Sequence, residues 1–314
     1  MSRYLAIRIG QALIVLWAAF TLSFILLQAL PGDAVLIKFQ SPELGLSADQ
    51  IAQLRLAYGA DIPLLSQYIQ SIERVLRGDF GLSLQAGVPV TELLAANLPP
   101  TLLLAALGFV AAALLACAIA FLSTLTPFHW LRSALQSLPS LFISVPTFWL
   151  GIVLIQVFSF RLGWIPVINP GEWEGLILPT LTLALPISAP LAQVLMRSID
   201  RVQTQPFVAV ARAKGASRGG VLWRHIARNA MLPTLTIAGL LLGELIAGAL
   251  ITETVFGRSG LGQLTQDAVN NQDGSVLQAI VLISATAFVI VNLIVDLLYP
   301  LLDPRLKKTA GAAL

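Results

Sequence analysis

Charge is scarce in this chain. Only 11% of its 314 residues are Asp, Glu, Lys or Arg, against about a quarter in a soluble domain. With 57% of residues hydrophobic, a water-soluble fold is excluded and an all-α integral membrane protein is expected. Cysteine is limited to Cys117, so no internal disulfide can form; its setting in LLACAIAF is that of a small buried apolar residue. His129 and His225 are the only histidines, too few for a metal cluster. No GxxxxGKS/T loop occurs, which removes P-loop nucleotide binding. No catalytic residue and no metal ligand emerges, and the chain is expected not to be an enzyme. Internal repeats and low-complexity tracts are also lacking, and the short tail 309–314 is expected to be disordered.

What is present is a set of long uncharged runs. A spanning helix needs ~20 apolar residues, and six runs qualify: about Ile9–Leu30, Pro100–Leu122, Leu135–Phe160, Leu176–Met196, Leu232–Ile251 and Leu277–Leu298. The first run is too long for the core of a cleavable signal and reads as an anchor. Six spans put both termini on one side of the bilayer. Thirteen of the 19 Lys and Arg then fall on the side of the termini, which makes that side cytoplasmic, because basic segments resist translocation. The expected arrangement is a first span within 1–30, an external segment 31–99 and a five-helix core over 100–308. In the external segment Ser47 to Gln50 forms a capping box before Ile51, Leu54 and Tyr58. A second amphipathic helix follows Pro63, with Leu65, Tyr68, Ile72, Val75 and Leu76 at helical spacing up to Arg77-Gly78. These helices either meet a soluble partner or pack on the spans.

The segment 197–233 holds the densest charge. Arg197, Arg201, Arg212, Lys214, Arg218, Arg224 and Arg228 stand there against Asp200 alone. Pro206 suits a first helical turn, FVAVARA propagates a helix, and Gly215 closes it in a left-handed conformation. Ser217 caps a second helix running through Val221, Trp223 and Ile226. Two short cytoplasmic helices therefore make a docking platform. Nucleic acid is a poor partner for it, since Trp223 is nearly its only stacking side chain. Attraction to anionic lipid, worth ~1 kcal/mol per basic residue, explains the charge but not the glycine punctuation.

Polar groups inside the spans are the other candidates. Glu244 interrupts the fifth span. A carboxylate there carries a penalty of a few kcal/mol, so it faces the bundle interior or a watered path; it is either a substrate or ion contact or a locally hydrogen-bonded or protonated structural acid. Asn292 and Asp296 lie four apart on the sixth span and share a face, with Asp296 placed to pair near the inner end. Gln193 and Gln156 are further path candidates. Pro179, Pro186 and Pro190 are expected to break the fourth span, as happens where neighbours or a cavity satisfy the freed carbonyls.

The ordered motifs carry a resemblance. ARAKG at 211–215 and RHIARNAMLP at 224–233 resemble the cytoplasmic coupling loop of ABC importer permeases, specifically the dipeptide, oligopeptide and nickel branch. RYLAIRI near the start, LPGD at 30–33, QY at 67–68, GDFGLS at 78–83, VPTFW at 145–149 and LGWIP at 162–166 fit the same branch, as do GLG at 260–262, NLIVDLLY at 292–299 and LDPRLK at 302–307. The chain departs from it at Ala209, where the general coupling motif has an acid. It departs also at Ser259-Gly-Leu-Gly, where the family has Pro-Gly-Leu-Gly, and at Gln272-Asp-Gly-Ser275, where it has a charged-Asp-aromatic-Pro turn.

The resemblance implies a type I ABC importer permease fold with six transmembrane helices and cytoplasmic N- and C-termini, in a bacterial inner membrane. It also implies a homologous second permease subunit, two cytoplasmic ATPases holding ATP and Mg, and an extracytoplasmic solute-binding protein; this chain itself would bind no cofactor. Its coupling contact would comprise Phe207, Ala209, Val210, Ala211, Arg212, Ala213, Lys214 and Gly215, with Arg224, His225 and Arg228 behind them. The substrate path would involve Glu244, Gln193, Gln156 and Asn292. Small peptides are the expected cargo, with nickel or a metal–opine chelate as the alternative. An ion-coupled secondary transporter is the rival of another class, but it calls for acids at matched positions in two halves, and only Glu244 and Asp296 are available.

Overall fold

The structure, a computed structural model, describes residues 2–28, 50 and 63–302, with side chains for 6–27, 50 and 63–294. The expected helix after Ser47, the tail 309–314 and the side chain of Asp296 lie outside the described residues. The helices are α1 (Ser2–Gln28), α2 (Leu64–Leu76), α3 (Val90–Leu125), α4 (His129–Ser144), α5 (Thr147–Leu154), α6 (Glu174–Gln203), α7 (Pro206–Ala213), α8 (Arg218–Val221), α9 (Ala227–Phe256), α10 (Leu261–Asn270) and α11 (Gly274–Leu302). Two π-helical stretches extend this set: Ile155–Arg161 prolongs α5, and Leu222–Ile226 joins α8 to α9. Among the described residues five helical runs are long and apolar enough to cross a bilayer: Ala6–Leu27, Val90–Leu125, Glu174–Gln203, Arg218–Phe256 and Gly274–Ile294.

The third expected span is not one straight helix. His129–Ser144 and Thr147–Arg161 together are long enough, but the chain bends by 105° between them. The reason is local. Pro146 pushes the residue before it out of the α region, and Val145 is extended, with φ −101° and ψ 124°. The apolar run conceals this break, because hydropathy is blind to backbone direction.

The chain divides into two compact units, residues 1–99 with 259–287 and residues 100–258 with 288–314. In the first, α2 packs on α1 through Tyr68. Its ring lies 5.8 Å from that of Phe20 and 5.3 Å, edge-on, from that of Phe24, and its hydroxyl is 2.8 Å from Thr21 Oγ1. The aromatic contacts and the hydroxyl pair together use both ends of the tyrosine.

Residues 79–90 then form a tight hairpin, in which Ser83 N–H donates to the Val88 carbonyl and Val90 N–H to that of Gly81. Asp273 grips this hairpin. Its carboxylate, 1% exposed, accepts from Ser83 Oγ at 2.6 Å and from the Gln85 N–H at 3.1 Å. The other oxygen accepts from the Val276 N–H at 3.3 Å, capping α11. The unusual Gln272-Asp-Gly-Ser275 turn thus retains a buried acid that joins two motifs distant in sequence. Gln272 adopts φ +53° to close α10, with the Gln272 N–H donating to the Val269 carbonyl and the Asp273 N–H to that of Ala268. That is the double bond pattern of a Schellman end.

In the second unit α6 is the central rod, packed against α4, α5 and α9. Its buried residues include Leu176, Leu178, Leu183, Leu191, Leu195 and Ile199. Contrary to expectation it runs unbroken through Pro179, Pro186 and Pro190. Each proline deprives a carbonyl four residues earlier of its donor. For Pro179 the deprived group is the Gly175 carbonyl, and Arg258 Nη1 donates to it at 2.8 Å. An outer cation therefore replaces the missing helical bond. Small residues allow close approach elsewhere, as is usual between membrane helices. A Cβ on Gly108 or on Gly248 would stand 3.1 Å from Leu183, which is wedged between α3 and α9.

Two outcomes test these contacts by thermal unfolding of the detergent-solubilised protein. Asp273→Ala strips two hydrogen bonds and a cap from one carboxylate and is expected to destabilise by on the order of 3 kcal/mol; an unchanged midpoint together with unchanged proteolysis at 79–89 would refute the grip. Arg258→Met is expected to lose roughly 1.5–3 kcal/mol, the range for a charged hydrogen bond. Pro179→Ala restores the helical N–H, so the Arg258→Met loss should shrink in that background; additive effects in the double-mutant cycle would show that Arg258 does not serve the proline.

Candidate functional site

The platform forms where α6 leaves the bundle. Thr204 ends that helix with its hydroxyl on the Arg201 carbonyl, at 2.8 Å. Gln205 is extended and Pro206 opens α7 at its first position, where a missing N–H costs nothing. α7 has two distinct faces. Val208 is fully buried and Ala211 is 8% exposed; three residues apart, they lie on one side. They join Leu195 and Ile199 of α6, Val221, Leu222, Ile226, Ala227 and Ala230 of the following helices, and Phe121 of α3 in one cluster. On the other side Phe207 is 43% and Val210 54% exposed. Ala209, Arg212, Ala213, Lys214 and Gly215 are exposed with them.

The end of α7 explains the glycine. The Gly215 N–H donates to the Arg212 carbonyl at 3.0 Å and the Ala216 N–H to that of Ala211 at 3.2 Å, a complete Schellman end. Gly215 sits at φ +82° with nothing within 4 Å of where a Cβ would be. The requirement for glycine is conformational rather than steric. Ser217 Oγ then accepts from the Gly220 N–H at 3.2 Å and caps α8. The π-helical Leu222–Ile226 buries Leu222 and Ile226. It leaves Trp223, Arg224, His225 and Arg228 exposed, with the Trp223 ring 4.6 Å from that of Phe121.

Of the eleven platform residues read from the sequence, ten are exposed; Ala211 alone faces the chain's own core. Val208, its partner on that face, was not singled out. The signal was present in FVAVARA, where alternate apolar residues divide between the two sides of a helix.

The polar residues of the spans are dispersed. Gln193 is half-buried on α6 one turn before Arg197, near the inner end, whereas Gln156 is exposed on the π-helical stretch five residues before Arg161, near the outer end. Glu244 is exposed on α9 in line with Leu240, Ala247 and Ile251, while Leu241, Leu245 and Ala249 are buried on the opposite side. Its neighbour Gly243 lies against the ring of Phe288 on α11, so closely that a Cβ would collide with the ring. Asn292 is one turn beyond Phe288, its Nδ2 donating to the Phe288 carbonyl at 2.8 Å. Among the described residues no three His, Cys, Asp or Glu side chains gather as metal ligands.

Comparison with known proteins agrees with this architecture. Residues 108–308 match the family described as binding-protein-dependent transport system inner membrane component. The glutathione transport system permease protein GsiC of Salmonella choleraesuis is 36% identical over 307 residues, covering 98% of this chain and 99% of that protein. The GsiC protein of Escherichia coli is 34% identical over the same length and with the same coverage. Among solved structures, an inward-facing form of the MetNI methionine ABC transporter aligns with a TM-score of 0.55 at 16% identity, covering 67% of this chain and 96% of that one. An amino acid ABC transporter chain aligns at 0.52 with 19% identity, covering 68% and 94%. At such identities these two establish the fold, that of a type I permease. The family match and the near-full-length relatives go further: the chain belongs to the binding-protein-dependent inner membrane components and is a permease subunit of an ABC importer, multi-pass in the bacterial inner membrane.

Proposed function

We propose that this permease pairs with a homologous second permease to carry small peptides released by an extracytoplasmic solute-binding protein, driven by two cytoplasmic ATPases that hold ATP and Mg. The observation that carries the reading is the two-faced helix α7. Its inner face, Val208 and Ala211, is fused to α6 and α9. Its outer face offers Phe207 and Val210 as apolar anchors, rimmed by Arg212 and Lys214. An ATPase groove that accepts Phe207 and Val210 would grip a lever already built into the membrane rods. When ATP closes the ATPase pair, the docked helices move together and the attached spans turn between inward and outward openings. Arg224, His225 and Arg228 extend the contact behind α7.

The cargo class rests on kinship. Glutathione is a tripeptide, and two permeases similar to this chain over nearly their whole length are named for its transport. Nickel or a metal–opine chelate is the alternative cargo. An ion-coupled mechanism would leave the exposed, glycine-terminated platform without a task.

Gly215 gives the test. A left-handed residue with a side chain is disfavoured by roughly 1–2 kcal/mol, more for a β-branched one, whereas Asn tolerates the conformation. In the assembled transporter Gly215→Asn should keep near-normal uptake. Gly215→Val should leave the complex in the membrane and hydrolysing ATP but lower peptide uptake at least about tenfold, since each such factor needs only ~1.4 kcal/mol. Wild-type uptake by Gly215→Val would count against the coupling role.

A further inference from the structure

Glu244 is a carboxylate in the middle of an apolar rod, turned away from its own bundle. At 1.5 Å per residue it stands about 18 Å from Leu232 and about 18 Å from Phe256 along the helix, so neither membrane surface is within reach of its short side chain. The face it shares with Leu240, Ala247 and Ile251 is exposed. An ionised group in that position must meet water or a cation, because hydrocarbon offers neither. Among the described residues no salt bridge or hydrogen bond engages it.

The helix beside it supplies a second acceptor. The ring of Phe288 packs on Gly243, adjacent to Glu244, and Asn292 follows one turn along α11 on the face that Phe288 presents. A backbone carbonyl can only accept, so the bond from Asn292 Nδ2 to the Phe288 carbonyl occupies one of the two amide N–H donors and leaves Oδ1 open as an acceptor, with one N–H still available. By helical rise the two residues lie within about 8 Å of each other along the membrane normal. A carboxylate beside a neutral amide acceptor fits a group that carries positive charge and several N–H bonds. An ammonium has three. A bare divalent ion would want further ligands, which are not gathered here.

We infer that Glu244 and Asn292 form a mid-membrane recognition site for the N-terminal ammonium of the peptide cargo. This rests on the permease reading above and adds a discriminating contact to the path itself. The closing experiment uses the complete reconstituted transporter with its binding protein. Cys117→Ala removes the chain's single thiol, and Ala247→Cys, one turn from Glu244 on the same exposed face, then places a reporter whose reaction with a water-soluble methanethiosulfonate is followed. The thiol should react, a dipeptide with a free amine should slow the reaction at least about fivefold, and its N-acetylated form should not. Adding Glu244→Gln should abolish that protection. In a parallel assay with Ala247 intact, Glu244→Gln should lower dipeptide uptake about tenfold while the loaded binding protein still stimulates ATP hydrolysis, and Glu244→Asp should restore much of the uptake. An unreactive thiol, equal protection by both peptides, or protection that survives Glu244→Gln overturns the inference. So does a joint loss of uptake and stimulated hydrolysis in Glu244→Gln, which would assign Glu244 to pairing with the second permease. Failure of the loaded binding protein to stimulate hydrolysis in the unmutated complex would instead refute the underlying reading.

Discussion

An eight-residue helix has no stability of its own in water, since nucleation alone outweighs the few hydrogen bonds it makes. Pro206–Ala213 is helical because Val208 and Ala211 are pressed among Leu195, Ile199, Leu222 and Ile226. That burial also means that the helix cannot be displaced without its neighbours. Removing a valine from such a pocket exposes apolar area and opens a cavity, together worth roughly 2 kcal/mol or more. The platform is therefore a continuation of α6 and α9 rather than a loop hung between them. Its two polar ends, the Gly215 closure and the Ser217 cap, use up backbone groups that would otherwise compete for water.

The interior of the second unit has the same character. Gly108 and Gly248 admit Leu183 from either side, Gly151 admits Val255 and Phe256, and Gly243 admits Phe288. Between membrane helices hydrophobicity gives no preference for protein over lipid, so close van der Waals fit decides which faces meet. A bundle held by such notches resists sliding and passes on rotation. That suits the proposed transfer of motion from a cytoplasmic lever across about 30 Å of hydrocarbon.

Much of this was legible in the residues. Uncharged runs marked the spans, the density of Arg and Lys marked the inner platform, and Pro206, Gly215 and Ser217 marked its helix ends at the positions they occupy. These are local signals, each a property of a few adjacent residues. What escaped depended on residues far apart in sequence. Hydropathy could not show that Val145 turns the third run through 105°. Pro179 looked like a break because its rescue comes from Arg258, a cation that in a charge count only marks an outer loop. Asp273 looked like one more external acid, but its donors stand at Ser83 and Gln85, nearly two hundred residues earlier. The divided faces of α7 were implicit in FVAVARA, yet the conspicuous charges drew the reading towards the exposed side.

The contrast between Asp273 and Glu244 shows how burial and bonding separate structure from function. Asp273 is the more buried, and its carboxylate is supplied with a hydroxyl and two backbone N–H groups from within its own unit. A carboxylate so furnished is complete, and its role is to hold two segments in register. Glu244 is exposed on an apolar face at mid-membrane depth. A carboxylate there carries an insertion penalty that leucine or alanine would not. The group needs something outside the chain's own bundle to complete it, and the cargo ammonium we propose would do so while it passes.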